Sequence, residues 1–131
     1  MTPRKIIPPV ILSVIVTAFV VVACNRRLTT TYYNINTLGM TTPLKFAIIT
    51  DLHSTEYGEK MEELFNAINT ETPDAVLLVG DIFDNHYDNT PSWTLVQELA
   101  KTYNCYYVTG NHEIIHQELE EILNRLREIG V

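Results

Sequence analysis

The sequence predicts an α/β chain in which a parallel βαβαβα layer follows one N-terminal apolar helix. Three observations predict it. An uncharged run of 18 residues extends from Ile6 to Ala23; three short runs rich in β-forming residues alternate with amphipathic helical stretches; and polar residues punctuate the ends of those runs at a constant interval. At 131 residues the chain fits one domain, and the part beyond residue 27 can still bury a modest core. The expected organisation is an anchor over 1–27, a spacer over 28–43 and a globular part over 44–131.

The N-terminal run is bounded by Arg4 and Lys5 on one side and by Arg26 and Arg27 on the other. As a helix it would extend roughly 27 Å, close to the thickness of a hydrocarbon core. It is long for a cleavable signal, which suggests a retained signal anchor. A second reading stays open beside it: Val21, Val22, Ala23 and Cys24 resemble a lipobox, with Cys24 as the acylated residue of a bacterial lipoprotein. Both readings place the chain at a cell membrane through a single N-terminal anchor. Basic residues flank both ends equally, so the side of the membrane stays open, with the extracytoplasmic side slightly favoured. The polar spacer is expected to hold one short edge strand around Tyr32 to Ile35.

Leu44–Thr50, Ala75–Val79 and Cys105–Thr109 read as strands. Met61, Leu64, Phe65 and Ile68 fall on one helical face. Trp93, Val96, Leu99 and Ala100 form a second stripe, opened by Thr90 as N-cap and Pro91 at the first helical position. Leu119, Ile122, Leu123, Leu126 and Ile129 make a third, closed by Gly130. Strands alternating with helices imply parallel βαβ units, whose functional edge lies at the C-terminal ends of the strands.

That edge is where the chemistry collects. The first strand runs into Asp51-Leu52-His53, the second into Gly80-Asp81 with Asp84 beyond, and the third into Gly110-Asn111-His112-Glu113. Positions 51, 81 and 111 are thirty residues apart, the length of one strand-helix repeat. Asp-x-His alone is equally well an Asp capping a turn beside a surface histidine, and Gly-Asp is a common strand exit. Gly-Asn-His-Glu is more specific, since Asn and His must leave one tight turn that glycine permits. Their conjunction in order, on three successive strand ends, singles out a site. Its mixture of oxygen and imidazole donors suits Mn, Fe or Zn better than Ca. His86, in a polar loop, reads as solvated, and His116 as a surface residue at a helix start.

The series Asp-x-His, Gly-Asp-x-x-Asp, Gly-Asn-His-Glu resembles the calcineurin-like metallophosphoesterase superfamily, most closely its membrane-associated bacterial branch, which includes enzymes acting on UDP-diacylglucosamine. The resemblance implies the N-terminal half of a metallophosphoesterase sandwich and a two-metal hydrolase of phosphoesters. It implies that Asp51 and His53 bind the first metal, that Asp81 bridges both and that Asn111 binds the second. His112 would act on the phosphate as general acid or charge stabiliser, oriented by Asp84. The expected cofactors are two divalent ions, Mn, Fe or Zn, and the expected substrate a phosphoester, with lipid- or nucleotide-linked phosphates as candidates. Asn85, where the phosphoprotein-phosphatase branch has Arg, disfavours that branch. The family's later histidines, ending in Gly-His-x-His, do not occur before Val131. The chain is therefore expected to be an incomplete fragment, inactive alone, with a non-catalytic membrane-tethered metal- or partner-binding module as the alternative.

Charge narrows the partners. The net charge is −7, and every acidic residue lies at or after Asp51, so the globular part is distinctly acidic. A nucleic-acid binder would show a basic patch or stripe, and none is expected here. Two cysteines, Cys24 and Cys105, make no disulfide framework.

Overall fold

A computed structural model describes residues 9–23, 27–39, 41–115 and 118–131. Helix α1 (Pro9–Ala23) comes first, followed by an irregular stretch. Then come β1 (Phe46–Ile49), α2 (Glu62–Glu71), β2 (Ala75–Val79), α3 (Thr90–Thr102), β3 (Asn104–Val108), the short α4 (Asn111–Ile115) and α5 (Leu119–Glu128). The strands form one parallel sheet in the order β1-β2-β3, with Ile48 opposite Leu77 and Leu77 opposite Tyr106. This is the α/β layer of parallel units that the alternating pattern predicts.

Side chains alternate across a strand, and the two faces of this sheet differ sharply. Ile49, Val76, Leu78 and Cys105 point into a core completed by Leu64 and Ile68 of α2, Leu95, Val96 and Leu99 of α3, and Ile122 and Leu126 of α5. Burial pushes the Cys105 thiol up to about 11, so it behaves as a small core residue and not as a reactive thiol. The opposite face presents Phe46, Ile48, Val79, Tyr106 and Val108 to solvent. Parallel sheets are ordinarily covered on both faces, and among the described residues nothing covers this one. The helix C-terminus at Gly130 closes as expected: its φ is 89°, and the N–H groups of Gly130 and Val131 return to the carbonyls of Arg127 and Leu126.

Three expectations change. No strand forms at Tyr32 to Ile35; the Tyr32 hydroxyl instead donates to Glu71 at the end of α2. Helix α3 is preceded by Asn89 as N-cap, with Thr90 already helical. The Asn89 side chain makes no cap bond because it is spent on the neighbouring loop, while Asp88 accepts from both the backbone and hydroxyl of Thr90. Strand β1 begins at Phe46, not Leu44, because the Lys45 backbone is paired with Asp74 in both directions.

Among the described residues no helix is long and apolar enough to cross a membrane. Helix α1 covers 15 residues, and the first three of the expected run, 6–8, lie outside the described residues, as does Cys24.

Candidate metal centre

The chain leaves β1 and β2 through backbone conformations that L-residues rarely adopt. Asp51, His53 and Ser54 after β1 have φ of 52°, 46° and 50°, and Asp81 after β2 has φ 51°, beside Gly80 at 71°. Left-handed backbone costs about 1–2 kcal/mol per non-glycine residue, so something must hold it. Hydrogen bonds between the two loops do so. The N–H groups of Asp51, His53 and Ser54 donate in turn to the carbonyls of Gly80, Asp81 and Ile82, at 3.2, 2.9 and 3.2 Å. The ladder between β1 and β2 thus continues past their ends and carries the Asp-x-His segment alongside Asp81.

Asp84, only 3% exposed, organises the histidines. Its Oδ2 accepts from His53 Nδ1 at 3.2 Å and lies 3.1 Å from His112 Nδ1, which is buried and not aligned for a hydrogen bond. The two imidazoles stand edge to face, 4.4 Å between centroids. The other oxygen of Asp84 accepts the backbone N–H groups of His86 and Tyr87. Burial pushes the Asp84 carboxyl upward, but the His86 amide, the His53 hydrogen bond, the charge of His112 and the Tyr87 amide outweigh it and leave it below its ordinary value. Asn89 bonds both the N–H and the carbonyl of Asp84 and accepts from the Ser54 hydroxyl. Ser54 also meets Ser92, which donates to the Ile82 carbonyl.

Asp81, 9% exposed, accepts the His112 backbone N–H at 2.8 Å. A Cβ at Gly110 would run into the Asp81 carboxylate and amide, so this approach of the two strand tips requires glycine there. Glu113, fully buried, accepts four backbone N–H groups, from Asp81, Ile82, Phe83 and Gly110. Burial first, then the charges of Glu113 and Asp81, push the Tyr107 hydroxyl well above the usual phenol range.

The donor set fits a divalent ion. One ligand atom each from Asp51, His53 and Asp81 lie within 4.8 Å of one another. With His53 Nδ1 engaged by Asp84, Nε2 is the nitrogen left for a metal, and it lies 3.9 Å from Asp51 Oδ1. One atom each from His53, Asp84 and His112 form a second group, also within 4.8 Å of one another. Both Asp84 oxygens already face hydrogen donors, which makes it a better orienter of imidazoles than a ligand. Asn111 is exposed at the first residue of α4, next to His112 in the chain. His86 is exposed, as expected of a loop residue, and His116 lies outside the described residues.

Sequence reasoning assigned no part to Glu113, Asn89, Ser54 or Ser92. Glu113 had a signal, being the last letter of the Gly-Asn-His-Glu run. The other three had none: Ser54 meets Asn89 and Ser92 from 35 and 38 residues away, and the Asn89 bonds to nearby Asp84 follow no sequence motif.

The family model for calcineurin-like phosphoesterases matches residues 44–130. An uncharacterised metallophosphoesterase of Campylobacter jejuni is 30% identical over 88 residues, 65% of this chain and 23% of that protein. One of Helicobacter pylori is 32% identical over 91 residues, 67% of this chain and 24% of that protein. A transmembrane protein with a metallophosphoesterase domain from Danio rerio is 24% identical over 91 residues, 67% of this chain and 21% of that protein. The chain thus spans about a quarter of the length of the curated relatives it matches. No solved structure matches it significantly.

Proposed function

The chain belongs to the calcineurin-like phosphoesterase family, and from that premise we propose that it contributes the first metal-binding half of a membrane-tethered, metal-dependent phosphoesterase. The observation that carries this reading is the convergence of Asp51, His53 and Asp81 beside a histidine pair steadied by one buried carboxylate. Asp51, His53, Asp81 and Asn111 would hold the ions, Mn, Fe or Zn. When bound, two divalent cations supply stabilisation of the charge that develops on the phosphoryl oxygens. His112 has a separate task. With Nδ1 turned to Asp84, its Nε2 is the atom that would deliver a proton to the leaving oxygen. The Asp84 carboxylate, 3.1 Å from that Nδ1, would orient the imidazole.

Tethering is part of the same proposal. It is supported by the absence of charge from Ile6 to Ala23 and by the exposed apolar side chains along α1, which water would not favour. The Danio rerio relative, named as a transmembrane protein, points the same way. The phosphoester is open to lipid- and nucleotide-linked classes alike.

The test uses the protein as expressed from its own gene, with metal analysis beside hydrolysis of bis-p-nitrophenyl phosphate. Hydrolysis stimulated by Mn or Fe, lost with a chelator and restored by metal, is expected. Metal binding without turnover would favour the non-catalytic binding module, and absence of both would sink the metal centre. For the tether, a carbonate wash should leave the full chain in the membrane fraction and release a version starting at Leu28.

A further inference from the structure

Glu113 sits at the third position of α4, after Gly110, whose carbonyl accepts the first helical bond from Ile114. A glutamate so placed ordinarily reaches back to the N–H that precedes its helix, and Glu113 does so with Gly110 at 2.9 Å. Local capping explains that bond alone. The other three run to the tip of a different strand, to the N–H groups of Asp81, Ile82 and Phe83 at 2.9, 2.6 and 2.9 Å. These are successive amides of a segment bent back by left-handed Gly80 and Asp81. Successive N–H groups in such a bend make a concavity for an anion, and here the anion is a side chain.

On the metal-centre reading above, we infer that Glu113 is a positioning residue: its carboxylate clamps the β2 tip to the β3 tip and so presents Asp81 to the metal. Three features make the clamp specific. First, each oxygen takes two donors, Oε1 from Ile82 and Phe83 and Oε2 from Asp81 and Gly110. A glutamine amide would therefore turn its NH₂ against two N–H groups whichever way it is flipped. Second, Glu113 is fully buried, so water cannot stand in for the lost acceptor. Third, both clamped segments meet at Asp81, which accepts from His112 and leaves no room for a side chain at Gly110. A slip of the β2 tip would move the Asp81 carboxylate and the His112 backbone together.

The experiment compares the full parent chain with Glu113→Gln, using Mn²⁺ titration and backbone amide hydrogen exchange in the metal-free protein. The expected result is a Mn²⁺ dissociation constant raised roughly 10–100-fold, the range for lost support behind metal ligands. Exchange should quicken at the amides of Asp81, Ile82, Phe83 and Gly110 while Leu78 and Leu99 stay protected. Parental Mn²⁺ affinity with unchanged exchange at those four amides would overturn the inference. So would exchange that rises equally at Leu99, which would mark Glu113 as general scaffold. Should Glu113→Gln fail to fold, Glu113→Asp carries the same test. It keeps the charge on a side chain one methylene shorter, and the amides of Ile82 and Phe83 should lose protection before that of Gly110. A parent chain that binds no Mn²⁺ would sink the metal-centre reading and not the clamp, which the exchange pattern decides without metal.

Discussion

Asp81 and Asp84, after β2, are 9% and 3% exposed, whereas the Asp51 side chain, after β1, is 66% exposed. The first pair is enclosed by donors: the His112 amide on Asp81, and the His86 and Tyr87 amides with the His53 ring on Asp84. Asp51 accepts from the adjacent Thr50 hydroxyl and otherwise looks outward. One site thus has an interior half, built into the core of the sheet, and an exterior half laid along it by backbone pairing. The difference teaches that the interior carboxylates are oriented by the protein's own hydrogen bonds. Changes there should disturb both fold and chemistry, while changes at the exterior should touch binding alone.

The comparison is sharpened most by Asp81→Ala, which should abolish stoichiometric metal binding and hydrolysis together. It also leaves the His112 N–H without its acceptor, at about 1–3 kcal/mol of stability read from urea unfolding. Parental activity in this variant would break the assignment of Asp81. Phe83→Ala probes the floor of the interior half, where the ring packs against Trp93 and Tyr107 with no exposure. A stability loss of about 3–5 kcal/mol is expected from denaturant midpoints. His112→Ala should lower turnover roughly 10² to 10⁴-fold while metal content stays at the parental level. Loss of metal as complete as in Asp81→Ala would instead make His112 a ligand. Asp51→Asn, at the exterior, should weaken Mn²⁺ binding in titration yet leave stability within about 0.5 kcal/mol. His86→Ala should change neither metal affinity nor stability beyond that margin, since its ring is exposed and only its backbone serves Asp84.

Much of this could be read from residue order. The three strands are legible because apolar β-formers recur in short runs, and α3 and α5 because their apolar residues recur at helical spacing. Asp51, Asp81 and the Asn111-His112 pair are legible as a group because a parallel repeat of constant length must deliver them to one edge. The failures have a common character. Thr90-Pro91 is a good local helix start, yet Asn89 became the N-cap with its side chain drawn away to Asp84 and Ser54. Tyr32 to Ile35 has strand-forming residues but found no strand to pair with.

Sequence alone determined the periodicities, the glycines at the bends and the residues delivered to the strand tips, since each depends on propensities and spacings within a few neighbouring positions. Only the tertiary structure decided that Glu113 serves three amides beyond the end of β2, that Asp84 faces two histidines, and that among the described residues one apolar face of the sheet is exposed. The physical reason is range. A hydrogen bond acts over about 3 Å, and which groups come that close across thirty residues of chain depends on which strands become neighbours and how their ends bend.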